Sequence, residues 1–333
     1  MRISVMGAGS WGTALAHQCG RRGHDVRLWA REEEVADGIN REHRNPLFQS
    51  DMDIDRAVVA DSDVVAVGEF SHVWVWVVPV QFSRAVMKVL RATAGPDVVV
   101  VSSSKGIETD TLRRMDEVAW DVMGIPGDRF CCLSGPTFAR EVLRGDPSAA
   151  VLACPELDLA TRLQGEFSDY HLRLYAGSDL VGVELAGALK NIIAIAAGMI
   201  DGLGFGANTQ AALMTRGLHE ITRLGVSLGA DVTTFRGLAG MGDLVLTCTG
   251  GLSRNRQVGQ RLGRGEELTD ILDSMREVVE GVRTTPAAAT LAQQHGVDMP
   301  ITEAVAAILR GEIDPRNALK DLMLRDLKVE TQL

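Results

Sequence analysis

Hydrophobic and polar positions follow two different rhythms along this chain. Up to about residue 155, short β-branched runs alternate with amphipathic stretches of helical spacing. Residues 3–6, 26–29, 98–101, 130–133 and 149–153 read as strands, and another falls at 64–67 or at the more continuous apolar run 73–78. Residues 11–21, 82–91 and 112–123 read as intervening helices. Valine-rich strands without polar alternation are buried on both faces, as in a parallel sheet covered by helices. The first part of the chain is therefore expected to be a doubly wound α/β domain.

From residue 178 the rhythm becomes helix after helix. Ser178 or Asp179 caps a long apolar helix running to residue 200, a glycine-rich break covers 201–206, and a second helix spans 208–228. Shorter helices are expected at 254–262, 286–295 and 301–309, and a strand-like apolar run follows Asp243. The expected division is 1–177 and 178–333, an α/β domain followed by an all-α C-terminal domain, with ligands in a cleft between them.

Composition narrows the partners. A chain of 333 residues ordinarily makes two domains, and 46% hydrophobic with 23% charged residues is a globular balance. Against 44 Asp and Glu stand 34 Lys and Arg, a net charge of −10, so the basic field of a general nucleic-acid binder is missing. Small molecules or proteins remain as partners. No bilayer span is read, since 73–80 is strand-length and 181–200 carries Glu184 and Lys190. No signal peptide is expected, because the first residues run straight into a glycine cluster. Cys19, Cys131, Cys132, Cys154 and Cys248 form no CxxC pair and read as buried free thiols of a reducing cytoplasm. His, Cys and acidic residues lack metal-ligand spacing, so no metal is expected. Glycine, at 35 residues, is the outlier.

Three of those glycines explain themselves. Gly7-Ala8-Gly9-Ser10-Trp11-Gly12 is G-x-G-x-x-G between a strand and a helix, the dinucleotide-binding turn of a Rossmann-like domain. A pyrophosphate placed there meets the helix N-terminus, where amide N–H groups and the dipole favour an anion. At the end of the second strand, Arg31 suits the 2′-phosphate of NADP by charge-assisted bonds. Glu32 or Glu33 could instead take the ribose hydroxyl of NAD, so NADP and NAD both stay open.

The remaining chemistry is cationic. Lys105, in Ser104-Lys105-Gly106-Ile107-Glu108, follows a strand at the carboxyl edge of the sheet, where doubly wound domains meet their ligands. Lys190 interrupts an otherwise apolar, small-residue helix; burying an ammonium is costly and favours the neutral form, which makes such a lysine a useful proton acceptor. The alternative is a lysine that snorkels to solvent. Ser253-Arg254-Asn255 at a helix start offers hydroxyl, guanidinium, amide and backbone donors to a phosphate, although Ser253 could serve only as an N-cap.

Taken together, these segments resemble the bacterial NAD(P)-dependent glycerol-3-phosphate dehydrogenases over nearly the whole chain. The likeness extends through Ser134-Gly135-Pro136-Thr137-Phe138-Ala139-Arg140-Glu141, Gly182-Val183-Glu184-Leu185, Ala188-Leu189-Lys190-Asn191, Asp201-Gly202-Leu203-Gly204-Phe205-Gly206, Gly237-Leu238-Ala239-Gly240-Met241-Gly242-Asp243-Leu244 and Val279-Glu280-Gly281. The resemblance implies hydride transfer between NAD(P)H and dihydroxyacetone phosphate, giving sn-glycerol 3-phosphate for phospholipid synthesis. It implies Lys190 as the catalytic proton acceptor and donor. Lys105, Gly135, Thr137, Lys190, Asp243, Ser253, Arg254 and Asn255 would bind substrate. Gly7, Gly9, Ser10, Trp11, Gly12, Arg31, Lys105, Ala139, Arg254, Val278 and Glu280 would bind the cofactor. A homodimer is the assembly kept as the expectation.

Two departures touch that pattern: Pro79-Val80-Gln81 stands where the family usually has Pro-Ser-Gln, and Gln49-Ser50 follows Leu47-Phe48 where Tyr-Leu-Pro is usual. Competing readings are another two-domain dehydrogenase of β-hydroxyacid or ketopantoate type, and an NAD(P)-sensing protein without turnover. Ser253-Arg254-Asn255 favours a phosphorylated substrate over the first, and the lysines with Asp243 favour turnover over the second.

Overall fold

The computed structural model describes residues 1–327, 329 and 330, and the chain divides into two compact units. One comprises Met1–Lys105 and Arg113–Val183, the other Gly106–Leu112 and the chain from Glu184 onward.

The first unit alternates strand and helix: β1 (Arg2–Met6), α1 (Ser10–Arg21), β2 (Asp25–Trp29), α2 (Glu33–Glu42), β3 (Val58–Asp61), α3 (Val64–Phe70), β4 (Val73–Trp76), α4 (Val80–Leu90), β5 (Val99–Ser102), α5 (Met115–Met123), β6 (Phe130–Ser134), α6 (Ala139–Arg144), β7 (Ser148–Ala153), α7 (Leu157–Phe167) and β8 (Leu172–Gly177). They build one sheet in the order β3-β2-β1-β4-β5-β6-β7-β8. Its first six strands have the 3-2-1-4-5-6 order of a dinucleotide-binding fold. Every residue of β4 and β5 is buried, as their unbroken apolar runs require. Trp74 and Trp76 are fully buried, which is tolerable because each indole N–H has an acceptor: Ser71 O at 2.8 Å for Trp74, Ser83 Oγ at 2.9 Å for Trp76.

Several local expectations give way to packing. Residues 64–67 form the start of α3, not a strand, because Asp63 caps it by accepting from Val65 N at 2.8 Å and Ala66 N at 3.3 Å. β3 and β8, the two edges, were not among the expected strands; each alternates buried and exposed positions, as an edge strand does. β7 runs antiparallel to β6, so the sheet is not wholly parallel. Leu112, at φ 59°, lies outside α5 in the left-handed region.

The second unit is helical: α8 (Leu180–Gly202, its residues from Glu184 lying here), α9 (Ala207–Ser227), α10 (Asp243–Thr249), α11 (Arg254–Gly263), α12 (Leu268–Asp273), α13 (Glu280–Gln294), α14 (Pro300–Leu309) and α15 (Pro315–Met323). The strand-like run after Asp243 is helix α10, introduced by a turn of π-helix over Leu238–Gly242. Pro286 lies inside α13, whose first turns it follows. α8 is long and apolar enough to cross a membrane, contrary to the reading that Glu184 and Lys190 would disqualify it, and it is largely buried within the protein. It accounts for its apolarity by packing against α11 with backbone nearly touching backbone. A Cβ on Gly198 would fall 2.0 Å from Arg256 O, and one on Gly259 would fall 1.9 Å from Ile195 O.

Candidate active site

In the first unit the glycine turn divides its labour. Gly7 has φ 115°, a conformation that L-residues rarely adopt. A Cβ on Gly12 would lie 1.8 Å from Gly7 O, so α1 can approach β1 this closely only without one. Around Gly9 nothing lies within 4 Å of such a Cβ, leaving its backbone open to a ligand. Gly9 is also the N-cap of α1 and supplies no side-chain cap. The turn therefore fits a pyrophosphate: open backbone, a helix N-terminus and no competing side-chain anion. Trp11 Nε1 is buried without a hydrogen-bond partner among the described residues, a further donor at the turn. Trp11 and Ala139 pack against the same small cluster of Ala14, Val142 and Leu143, bringing two of the expected cofactor residues together.

Asn45 was not among the expected site residues, yet it fastens the turn. Fully buried, it donates to Ala8 O and Thr13 Oγ1, both at 2.8 Å. Its carbonyl accepts from Leu47 N at 3.1 Å and Phe48 N at 3.0 Å. One amide thus pins the Leu47-Phe48 segment, where the chain departs from the family pattern, to the glycine turn. Its signal in the sequence was only an asparagine in a loop.

Arg31 is exposed two residues past β2 and donates from Nε to Glu32 Oε1 at 2.9 Å, while Glu32 is the N-cap of α2. Arg31 and Glu32 therefore stand side by side at the strand end. Lys105 ends the first stretch of this unit and is half-buried beyond β5. The residues before it are held down: Ser103 N donates to Trp76 O at 2.8 Å, and Ser104 Oγ to Val78 O at 2.6 Å. After β6, Gly135 packs so closely that a Cβ would lie 2.7 Å from Ala150 Cα, and Thr137 Oγ1 donates to Gly135 O at 3.1 Å. Val80, the other departure, is the first residue of α4 and fully buried.

In the second unit Lys190 does not snorkel. It is 5% exposed, and its Nζ donates to Asp243 Oδ1 at 2.5 Å and to Thr247 Oγ1 at 2.6 Å. Asp243 and Thr247 are one turn apart on α10, and the Thr247 hydroxyl in turn donates to Asp243 O at 2.6 Å. The apolar surroundings make the ammonium costly to hold, and the adjacent carboxylate offsets that cost. Cys248, the next residue, stays a neutral thiol because burial pushes it up to about 12. Thr247 was missed in the sequence, since only the helical form of 243–249 places it beside Asp243.

Ser253 is the N-cap of α11 and accepts from Arg256 N at 3.2 Å. Arg254, at the first turn, keeps its guanidinium 43% exposed while donating to Val278 O at 2.8 Å and pairing with Glu277 at 3.0 Å. That places it beside Val278, another of the expected cofactor residues of this unit. Asn255 donates to Asn191 Oδ1 at 3.0 Å and accepts from Gly281 N at 3.0 Å. Its amide therefore joins the residue after Lys190 on α8 to the start of α13.

A glycine turn built for a dinucleotide, in a sheet of this order, and a helical unit with a buried lysine–carboxylate pair together define a two-domain nicotinamide-dependent dehydrogenase. The chain belongs to the NAD-dependent glycerol-3-phosphate dehydrogenase family: residues 2–160 match the family model of the N-terminus and residues 179–320 that of the C-terminus. A glycerol-3-phosphate dehydrogenase (NAD(P)+) of Nitratidesulfovibrio vulgaris strain Hildenborough is 50% identical over 330 residues, 99% of this chain and 100% of that protein. The crystal structure of glycerol-3-phosphate dehydrogenase from Coxiella burnetii superposes with a TM-score of 0.93 at 36% identity, covering 97% of this chain and 99% of that one. A ketopantoate reductase from Ralstonia eutropha, at 15% identity and a TM-score of 0.59 over 96% of this chain and 100% of its own, shares the fold alone.

Proposed function

We propose that this chain catalyses reversible hydride transfer between NAD(P)H and dihydroxyacetone phosphate, giving sn-glycerol 3-phosphate. The observation that carries the reading is the buried Lys190–Asp243–Thr247 group, set in a chain that belongs to this family along both units. The nicotinamide, when bound, supplies or accepts the hydride at the carbon that changes oxidation state. Lys190 donates a hydrogen bond to the carbonyl oxygen as negative charge grows there, then gives up a proton from Nζ. Asp243 keeps the ammonium charged and oriented before that transfer, and Thr247 fixes the Nζ position from a second side. In alcohol oxidation Lys190 accepts the proton instead.

Arg254, Ser253 and Asn255 supply the phosphate-binding group, and holding a remote phosphate lets binding energy align the reacting carbon. Lys105, Gly135 and Thr137 complete the substrate contacts. Gly7, Gly9, Ser10, Trp11 and Gly12 hold the pyrophosphate, with Ala139, Val278 and Glu280 as further cofactor contacts. Arg31 serves the 2′-phosphate of NADP, Glu32 the ribose of NAD. A cytoplasmic homodimer serving phospholipid synthesis completes the reading.

A steady-state assay with dihydroxyacetone phosphate and each cofactor in turn is the direct test. Oxidation of NADPH or NADH should depend on the substrate, and Lys190→Ala should lose turnover while retaining cofactor binding by fluorescence titration. Undiminished turnover in that variant removes Lys190 from the chemistry. Arg31→Ala should shift preference towards NADH; an unchanged ratio of kcat/KM for the two cofactors refutes its phosphate role.

A further inference from the structure

We infer that Glu277 sets how strongly Arg254 holds the substrate phosphate, acting as a built-in anion with which that phosphate competes. The inference rests on the phosphate role proposed for Arg254 and adds to it a positioning residue outside the expected site. Glu277 Oε2 lies 3.0 Å from Arg254 Nη1, the same nitrogen that donates to Val278 O at 2.8 Å. Both contacts use one nitrogen, so the Nε and Nη2 edge of the guanidinium makes no hydrogen bond among the described residues. That edge can take two oxygens of a phosphate side by side, in the fork geometry arginine offers to oxyanions.

The chain delivers the Glu277 carboxylate to this place. Residues 274–279 join α12 to α13, and α11 holds this connection at both ends. Arg261, in the last turn of α11, donates from Nη1 to Ser274 Oγ at 2.6 Å; Asn255, in the first turn, accepts from Gly281 N at 3.0 Å. Val279, the N-cap of α13, is buried between those two ties. Glu277 thus sits in the middle of a bracket fastened to α11, at the residue that opens the helix.

Stability alone does not account for the pair. With side chains 43% and 25% exposed, such an ion pair adds little to folding. Its effect on an anionic ligand is larger. A phosphate monoester carries about −1.5 to −2 charges at neutral pH, and one seated on Arg254 has the carboxylate for a neighbour. The helix N-terminus and the guanidinium attract the phosphate, and Glu277 opposes them. A phosphate with nothing attached is therefore held weakly, and a ligand must bring further contacts of its own.

The test compares the full chain with its Glu277→Gln form, which keeps the side-chain shape and removes the charge. At low ionic strength, KM for dihydroxyacetone phosphate should fall about two- to fivefold while kcat changes by less than about 1.5-fold. Isothermal titration with inorganic phosphate should show the same tightening, and about 0.5 M sodium chloride should remove most of it. Glu277→Asp, which keeps the charge, should stay close to the natural chain in both measurements. In an Arg254→Ala background the Glu277→Gln change should lose most of its effect, because that effect passes through the guanidinium. Phosphate affinity or KM that is unchanged or weaker in Glu277→Gln overturns the proposal, as does a full gain in the Arg254→Ala background. A natural chain without turnover of dihydroxyacetone phosphate would instead remove the proposed function, and the phosphate titrations would still decide for or against Glu277.

Discussion

Asp243 and Lys190 measure how far charge holds the helical unit together. Their contact is 2.5 Å, and side-chain exposures of 2% and 6% leave water almost no part in it. Removing one member of a buried pair costs about 3–5 kcal/mol, because the other charge is stranded where it is poorly solvated. Replacing both with apolar residues of similar volume is often close to neutral. Asp243→Leu and Lys190→Met are each expected to destabilise by about 3–5 kcal/mol, or to lower the melting temperature by about 6–20 °C for a unit of this size. The double variant is expected to lose far less than the sum. Urea denaturation followed by far-ultraviolet circular dichroism gives the three differences, and turnover measured in parallel should vanish in all three proteins. Additivity within about 0.5 kcal/mol would refute the pairing. Retained turnover in Asp243→Leu would refute its part in holding the ammonium.

Asn45→Ala removes four hydrogen bonds at a fully buried position and leaves Ala8 O and Thr13 Oγ1 with the 3.3 Å bond between them. A loss of about 2–4 kcal/mol in denaturant unfolding, with KM for the cofactor raised and kcat largely kept, is expected; an unchanged cofactor KM would separate the loop from the glycine turn. Glu220, on α9, accepts from Ile301 N at 2.7 Å and Thr302 N at 3.1 Å at the start of α14, and burial raises it from 4.5 to about 7. Because the folded value lies above the unfolded one, its contribution is full below pH 4.5 and is lost as the pH rises through 7, about 3 kcal/mol in all. Glu220→Gln should flatten that segment of the stability profile, and parallel profiles for the two proteins would show that another group titrates.

What the sequence made legible was whatever repeats a local rule. Strand–glycine–helix order located Gly7, Gly9 and Gly12, and an interrupted apolar helix singled out Lys190. What it hid depended on partners far along the chain. Residues 64–67 have the β-branched content of a strand, but Asp63 supplies a cap that only the helical form uses. The run after Asp243 is apolar enough for a strand, and its helical form alone lines up Asp243 and Thr247 on one face. Asn45 carried no signal, and Asn191 only its place beside Lys190, because an amide's role is set by the groups it meets, and that is decided by folding. Asn255 was read as a phosphate ligand from its position beside Arg254, while its amide also spans two helices.

The bare contact of α8 with α11 bears on how this enzyme could change. Gly198 and Gly202 face Gly259 and Gly263 with no side chain between the backbones. Side-chain interfaces can drift by repacking, but an interface without side chains has almost no sliding freedom: the smallest substitution lifts one helix off the other. Arg254 and Asn255 lie at the near end of α11, and Lys190 and Asn191 lie on the same α8 that carries the glycines. A methyl group added at Gly259, one turn beyond Asn255, would thus act on the spacing between Asn255 and Lys190 without touching either. The spacing of the two helices is set there by missing atoms, and under the roles proposed for Arg254 and Lys190 a variant selected for a longer or shorter phosphorylated ketone should carry its decisive changes along this seam.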